Sequence, residues 1–227
     1  MIKIPLAGHK KQFLLVLAIV AGVFFNNWLL GPILNPHLFS NNGSVSEFSA
    51  GGQPYAWIFR ALDVLSGLLM VVLALVARRV MVRAKISSWL AGTALVLGLA
   101  NAVDALFVIS CSNTVSPNCN IPINLSPSHF QLPSHAYSSI IIGVCYLLLP
   151  ALGFWYAHRQ KSMLLKMASA VAVLVAVASG TSAFTQYVVN SSLSVKTSGG
   201  GQEFQMMILA LWFIAWGWTL SKKDTSI

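Results

Sequence analysis

Two aspartates inside apolar segments are the residues of this sequence best suited to do chemistry. The chain has five Asp and Glu residues among its 227, and Asp63 and Asp104 both fall within long apolar runs. Inserting an Asp at the middle of a membrane costs about 2.5–3.5 kcal/mol, so such residues usually face a polar interior and mark function. At 1.5 Å per helical residue, both carboxylates are expected roughly 9–14 Å below one membrane surface. There they could orient a polar head group or help to hold a metal ion.

Polar residues close to these acids predict a pocket that opens to the outside. Arg60 lies three residues before Asp63 and could pair with it along one helix face, while Asn101 shares a face with Asp104. The pocket would also include acids and an imidazole from elsewhere in the chain, namely Glu47, His135 and Glu203. The structural alternative is an ion pair between Asp63 and Arg60, with Asp104 bonding a neighbouring helix.

A zinc site is the competing hypothesis for the same region. Asp104, His135 and His129 offer a carboxylate and two imidazoles, which are ligand types that zinc accepts, although their spacing matches no metal motif. Zinc lowers the pKa of its bound water to about 7, which is the chemistry of a metal-dependent lipid hydrolase. The sequence contains no phosphate-binding Gly loop, GxSxG elbow or HExxH helix. Whether the protein is an enzyme therefore stays open, and no cofactor other than this zinc is expected.

The elements that must position these residues are membrane-spanning helices. The chain is 56% hydrophobic and 8% charged, with a mean hydropathy of +0.74, whereas a soluble domain carries about 25% charged residues. A soluble enzyme, a disulfide mini-protein and a disordered regulator are thereby excluded. A spanning helix takes about 20 residues. We predict an all-α polytopic membrane protein, one domain over residues 1–227, with six transmembrane helices near 12–34, 54–77, 86–110, 136–157, 163–189 and 204–221.

The distribution of Lys and Arg predicts the orientation of this bundle. Twelve of the 14 basic residues fall in the N-terminus, the second and fourth connections and the C-terminus, while Arg60 and Lys196 fall on the other side. The positive-inside rule then places both termini in the cytoplasm of a multi-pass plasma-membrane protein. The net charge of +9 indicates contact with anionic lipid head groups. It does not indicate nucleic-acid binding, because the basic residues form short clusters between apolar runs.

Two cysteines bracket the segment CSNTVSPNC, Cys111 and Cys119, which the predicted topology assigns to the outside. An oxidising compartment would allow a disulfide that closes this loop. Zinc ligation by the same pair is the alternative, but two thiolates are too few for a structural site without His or carboxylate ligands. We therefore predict the disulfide.

Small residues repeat every fourth position on two of the predicted helices. Helix five carries one stripe and helix three a shorter one: Ala168, Ala172, Ala176 and Gly180, and then Ala94, Gly98 and Ala102. Lipid tails are as apolar as Leu, so helices in a membrane associate through close packing of small residues. Both stripes predict close contact with a neighbouring helix, and the three Trp residues of helix six, Trp212, Trp216 and Trp218, are interpreted as packing and anchoring residues.

The stretch SVSEFSAGGQPYAWIFRALDVLSGLL, Ser44–Leu69, resembles the signature region of the DUF998 membrane proteins. These typically show an S-E-L-S/G-like turn, then P-x-x-W-x-F-R/N and a Gly-containing second helix. The segment from Asn101 to Ser139 is also similar, with an Asp near the end of helix three, a Cys pair in the outer loop and His135 four residues before Ser139. Glu203 resembles an acidic residue at that position, although Phe204 stands where a basic residue is expected.

The resemblance implies a six-helix prokaryotic membrane protein of undefined activity. More distant likenesses are to the Frag1/DRAM/Sfk1 group, which is linked to lipid handling, and to the ceramidase and progestin-receptor-like hydrolases, whose His-rich interior this sequence lacks. Our first hypothesis is a protein that binds or handles a lipid or small amphiphile in an outward-facing polar pocket. The alternatives are the metal-dependent lipid hydrolase acting at the outer leaflet and an accessory subunit of a membrane complex. Membrane lipids are the expected partners, with a membrane-protein partner or a second copy of the chain also compatible with the sequence.

Overall fold

The computed structural model describes residues 8–81, 85–116, 118–119, 134–189 and 199–222, with side chains over 12–81, 85–116, 118–119, 135–181 and 199–222. All regular secondary structure in these ranges is helical. The helices are α1 (Gly8–Phe25), α2 (Gly31–Leu34), α3 (Pro36–Ser40), α4 (Ala56–Val80), α5 (Lys85–Asp104), α6 (Ser134–Gln160), α7 (Met163–Val189) and α8 (Gly199–Ser221). Short 3-10 helices occupy Asn27–Leu30 and Val45–Ser49.

Five of the described helices, α4 to α8, are long and apolar enough to cross a membrane. A sixth span results if Gln12–Phe25 and Asn27–Leu34 are counted together, although these segments meet at an angle of 54°. The bend lies at Asn26, which leaves the helical conformation and bonds the Gly22 carbonyl oxygen through its side-chain amide at 2.9 Å. An all-α membrane protein is therefore confirmed, with the first predicted span broken near its end.

The long helices form a closed ring in chain order. α1 packs against α4, and each of α4 to α7 packs against the helix that follows it. α8 closes the ring by packing against α1. This last contact is close because small residues face each other: a Cβ atom added to Gly22 would lie 3.2 Å from the Cβ of Ala210, and one added to Gly217 would lie 2.7 Å from the Cβ of Ala18.

The backbones of α4 and α5 approach each other closely at two glycines. A Cβ atom at Gly67 would lie 2.6 Å from the carbonyl oxygen of Gly98, and one at Gly98 would lie 2.7 Å from that of Gly67. The prediction that the helix-three stripe packs closely is thereby confirmed, with Ala94 fully buried beside it. On α7, Ala172 and Ala176 are buried as predicted, whereas a Cβ at Gly180 would meet open space.

Aromatic side chains of α8 fill the core between the helices. Trp212 and Trp216 are fully buried and stack with ring centroids 5.5 Å apart. The indole Nε1 of Trp212 donates to Ser169 Oγ on α7 at 2.8 Å. Trp218 is 42% exposed, with Lys222 Nζ 4.6 Å from its ring centroid. The predicted packing role is confirmed for Trp212 and Trp216, and anchoring by these Trp residues stays a prediction.

Two helices, α5 and α8, have boundaries that differ from the predicted ones, and both boundaries lie at the same end of the bundle. α5 stops at Asp104, whereas the apolar run continues to residue 110, and α8 starts at Gly199 rather than near 204. The chain leaves the helix after Asp104 because its backbone pairs with another loop: the Ile109 carbonyl oxygen accepts a hydrogen bond from the Gly51 amide at 2.8 Å. Cys111 and Cys119 form a disulfide in the segment that follows, as predicted.

Candidate functional site

Asp63 lies on α4, two turns from the start of the helix, and its partners come from two other segments. Asn27 Nδ2 donates to its carboxylate Oδ1 at 2.6 Å. From α5, Asn101 Nδ2 donates to the backbone carbonyl oxygen of Asp63 and to Ser66 Oγ, both at 2.9 Å. Asp63 is thus held entirely by amide and hydroxyl groups among the described residues, although it lies inside an apolar span.

Asp104 is the last residue of α5 and contacts the first turns of α6. Its Oδ1 accepts a hydrogen bond from Ser138 Oγ and lies 3.1 Å from His135 Nδ1. The other ring nitrogen, His135 Nε2, lies 3.3 Å from Ser139 Oγ one helical turn further on. Asp104 therefore binds one side of the imidazole, and the exposed hydroxyl of Ser139 lies at the other side.

These two sets of contacts meet in one region, which we call the carboxylate cluster and define as Asp63, Asn101, Asp104 and His135. Asn101 precedes Asp104 by three residues on α5 and bonds Asp63 across the helix interface. Asp104 and His135 are close enough to Asp63 to interact with it electrostatically. The side chains of Asp104 and His135 remain 19% and 16% exposed, so the cluster is accessible at the end of the bundle.

Arg60 points away from the carboxylate cluster. Its Nε donates to the backbone carbonyl oxygen of Ser49 at 2.8 Å. Among the described residues no ion pair joins it to Asp63. The local reason is that the 3-10 helix Val45–Ser49 ends directly beside α4 and presents a carbonyl oxygen to the guanidinium. Arg60 therefore stabilises this loop, and the Asp63 carboxyl group has no basic partner on its own helix.

Glu47 connects two loops outside the spans. Its carboxylate accepts from Ser112 Oγ, from the Thr114 amide and from Thr114 Oγ1, each at 2.8 Å, and from the Ser44 amide at 2.7 Å and Ser44 Oγ at 3.0 Å. Burial acts to raise the pKa of this carboxyl group, but the hydrogen bonds outweigh burial and lower the pKa below its usual value. Glu47 is 5% exposed, so its position favours a structural role over contact with a ligand.

Glu203 and His129 stand apart from the described cluster. Glu203 lies in the second turn of α8, and no hydrogen bond or ion pair joins its side chain to another described residue. Its neighbour Gln202 accepts a hydrogen bond from the Val45 amide at 3.1 Å. His129 falls outside the described residues. Within the part of the chain that is described, no group of three His, Cys, Asp or Glu side chains could hold a metal ion.

Sequence reasoning overlooked several side chains that build the cluster. Asn27 supplies the bond to the carboxylate of Asp63, and Ser66 and Ser138 complete the networks on α4 and α6. The sequence did contain a sign of the role of Asn27, because two adjacent Asn residues interrupt an apolar run. Polar residues inside a membrane span usually face the interior of the bundle. Ser66 and Ser138 carry no comparable signal, since serines are common in membrane helices.

The comparisons with known proteins give one match. A sequence model of the family described as "Protein of unknown function (DUF998)" matches residues 16–219. No curated protein and no solved structure matches the chain significantly. The matched region includes residues from every long helix of the ring and both carboxylates of the cluster. This all-helical integral membrane protein is therefore a member of the DUF998 family, whose function is unknown.

Proposed function

We propose that the protein binds the polar head of a lipid or small amphiphile at the carboxylate cluster, on the outer side of the plasma membrane. One observation supports this most: two carboxylates on adjacent helices lie in one cluster, which is partly exposed at Asp104, with no Lys or Arg partner among the described residues. An uncompensated acid in an apolar span is costly, and a ligand that brings hydrogen-bond donors or positive charge would reduce that cost.

The chemistry of the cluster favours a head group rich in donors. Asp63 and Asp104 each have one carboxylate oxygen, Oδ2, that accepts no hydrogen bond from a described residue. Carboxylate oxygens accept several hydrogen bonds and donate none when ionised. A head group with an ammonium or several hydroxyl groups fits this pair, whereas a phosphate alone would be repelled. The acyl chains would then lie against the exposed apolar faces of α5 and α6.

The orientation of the protein is part of this proposal. Arg78 and Arg79 at the end of α4, and Arg159 at the end of α6, lie at the end of the bundle opposite Asp104. The positive-inside rule assigns that basic end to the cytoplasm. The carboxylate cluster then faces outward, and both termini are cytoplasmic.

Lipids retained by the purified protein test the proposal directly. Asp104→Asn keeps the size of the side chain and removes its charge, so we expect it to lose a lipid that the native chain retains, by at least about tenfold in native mass spectra, since a hydrogen bond to a charged group contributes about 1.5–3 kcal/mol. Glu203→Gln is the matched control, because it removes one negative charge without touching the cluster. Thermal unfolding in detergent shows whether each variant is folded. Identical retained lipids in the native chain and in folded Asp104→Asn would overturn the proposal.

A second candidate function follows from the order of three side chains. In serine hydrolases a carboxylate binds Nδ1 of a histidine whose Nε2 faces the nucleophilic hydroxyl, and Asp104, His135 and Ser139 have this order. Ser139 Oγ would attack the carbonyl carbon of a lipid ester while His135 Nε2 takes the hydroxyl proton. The proton would pass to the departing alcohol, and water would then release the acid from the serine.

A fluorophosphonate probe separates this hydrolase from a binding protein. Covalent labelling that disappears in Ser139→Ala and persists in Ser49→Ala, whose hydroxyl donates to the Ser46 carbonyl oxygen, would support hydrolysis. Absence of labelling in the native chain would contradict it and leave the binding proposal unaffected. The metal-dependent form of the hydrolase requires His129, and about one equivalent of zinc in gently extracted protein would support that form instead.

A further inference from the structure

A groove of about 380 Å³ lies at the end of the bundle opposite the carboxylate cluster, between the start of α5 and the end of α6. We call it the basic groove and define it by the residues that line it: Lys85, Ile86, Trp89, Leu152, Trp155 and Arg159. Its volume falls within the range of small-molecule sites, about 300–1,000 Å³. Two cations, two indoles and two aliphatic side chains thus meet in a single recess between neighbouring helices.

The cations of the basic groove lack acidic partners. Neither Lys85 nor Arg159 forms an ion pair with a described residue. Four of the five acids in the sequence, Glu47, Asp63, Asp104 and Glu203, lie in the opposite half of the bundle or in its loops, and Asp224 is outside the described residues. The groove therefore presents net positive charge, and charge complementarity requires an anion.

The two cations of the basic groove have different surroundings. The Arg159 guanidinium carbon lies 5.7 Å from the centroid of the Trp155 ring, a distance at which a cation is attracted to the face of an indole. Lys85 is the first described residue of α5, so the positive end of the helix dipole lies near it. A phosphate placed between the two side chains would accept hydrogen bonds from both, and Arg can bind it through two parallel N–H groups.

The uncharged side chains that line the groove suit the parts of a lipid other than its phosphate. Trp89 and Trp155 are 60% and 57% exposed, and indoles with that exposure are favoured at the head-group level of a membrane. Ile86 and Leu152 are half-buried at the base of the groove and offer an apolar surface to an acyl chain. Basic recesses between transmembrane helices on the cytoplasmic side are sites for anionic lipid head groups.

We infer that the basic groove binds an anionic phospholipid from the cytoplasmic leaflet, with the phosphate between Lys85 and Arg159 and an acyl chain against Ile86 and Leu152. This site has the opposite charge preference to the carboxylate cluster. It lies at the other end of the same bundle, so the two sites would hold lipids of the two leaflets.

Photo-crosslinking locates the lipid. The full chain is reconstituted in vesicles of equal parts phosphatidylcholine and phosphatidylglycerol that contain a trace of photoactivatable phosphatidylglycerol. We expect label in peptides that include residues 85–89 and 152–159. Label spread evenly over the basic helix ends would overturn the inference, because it would show only nonspecific attraction to the anionic surface. A photoactivatable phosphatidylcholine that labels the groove equally would also overturn it.

Variants then test the two cations. Loss of one juxtamembrane cation weakens binding to an anionic lipid by about fivefold. The double substitution Lys85→Gln with Arg159→Gln should therefore lower groove labelling by about 30-fold. Arg78→Gln with Arg79→Gln removes the same charge from the same end of the bundle, but neither side chain lines the groove. It should change groove labelling by less than about threefold, because salt weakens the attraction of exposed charges that do not contact the phosphate. Lys85→Arg with Arg159→Lys keeps both charges and should restore most of the labelling. Equal losses in the groove variant and the control would contradict a defined site.

Lipid binding at the basic groove can be tested separately from the function proposed for the carboxylate cluster. Asp104→Asn should leave phosphatidylglycerol labelling of the basic groove unchanged, while the groove variant should leave the lipid retained at the carboxylate cluster unchanged. If the cluster binds nothing, the groove can still be labelled, and the reverse also holds. If folded Asp104→Asn abolished groove labelling, the two sites would not be separate and the inference would fail.

Discussion

Replacing Glu47 by Gln should separate two loops that a single carboxylate holds together. Five hydrogen bonds converge on Glu47, from the amide and hydroxyl groups of Ser44 and Thr114 and from the Ser112 hydroxyl. In the Glu47→Gln variant the side-chain carbonyl oxygen could still accept the bonds that reach Oε1. The NH₂ group would replace Oε2 and face the Ser44 amide, which now lies 2.7 Å from that oxygen. A donor would then oppose a donor in a buried site.

The expected cost follows from that clash. The hydroxyls of Ser44 and Thr114 can rotate to accept a hydrogen bond, but the Ser44 N–H cannot, and a buried unsatisfied donor costs about 1–3 kcal/mol. Loss of the negative charge also weakens the remaining bonds, because hydrogen bonds to charged groups are roughly twice as strong as neutral ones. Together these effects should lower the free energy that holds the two loops together by about 2–4 kcal/mol. At about 1.4 kcal/mol per factor of ten, amide hydrogen exchange in the loops should speed up by about 30-fold or more.

The pH dependence provides an independent check. The folded protein holds the pKa of Glu47 below its usual value, so the carboxylate stabilises the loops fully above the pKa of the unfolded chain. This stabilisation is lost as the pH falls through the lower pKa of the folded state. The difference in exchange between the native chain and Glu47→Gln should therefore be constant near neutral pH and shrink only under acidic conditions, below the ordinary pKa of a glutamate.

Hydrogen exchange read by mass spectrometry over residues 44–50 and 110–116 is the assay, with the protein in detergent micelles. Glu203→Gln serves as the control, since Glu203 bonds no described residue. Exchange in Glu47→Gln equal to that of the native chain would refute the structural role assigned to this residue. A difference between native chain and variant that grew as the pH fell would refute the reasoning about its charge.

Three further variants test packing and covalent closure. Gly98→Ala should cost about 1–3 kcal/mol, because its Cβ would collide with the Gly67 carbonyl oxygen, whereas Gly143→Ala on α6 meets open space and should leave thermal unfolding unchanged. Trp212→Phe should lower the free energy of unfolding by about 2–4 kcal/mol through a cavity and a lost bond to buried Ser169; a thermal midpoint equal to that of the native chain would contradict this. Cys119→Ser should destabilise the closed loop by about 2–3 kcal/mol, and its effect on exchange should not add to that of Glu47→Gln, as a double-mutant cycle will show.

The spans were predictable because the membrane imposes a single strong rule. Segments of about 20 apolar residues must be helical there, since no water is present to bond the backbone, and the runs around α4 and α6 have that length. The same rule pointed to Asp63 and Asp104 as unusual residues. It overextended α5 to residue 110, because the residues after Asp104 are apolar even though their backbone turns to pair with Gly51.

The partners of the polar residues were much harder to predict. Glu47 bonds Thr114, which is 67 positions away, and Arg60 turns to the Ser49 carbonyl oxygen instead of the carboxylate one helical turn ahead. Such pairings depend on how loops meet in space, and neither periodicity nor composition records that. The contact of His135 with both Asp104 and Ser139 likewise requires the end of α5 to meet the start of α6, which the sequence suggests only through their order.

The contact of α8 with α1 has a consequence for biogenesis. A ribosome delivers helices to the membrane one after another, and each early hairpin, such as α4 with α5, can pair as soon as its second member arrives. One face of α1 has to wait longer, because the side that includes Ala18 and Gly22 is covered by α8. During that interval, the surface that Gly217 later covers faces other surroundings. The contact between α1 and α8 can therefore form only after α8 has been translated.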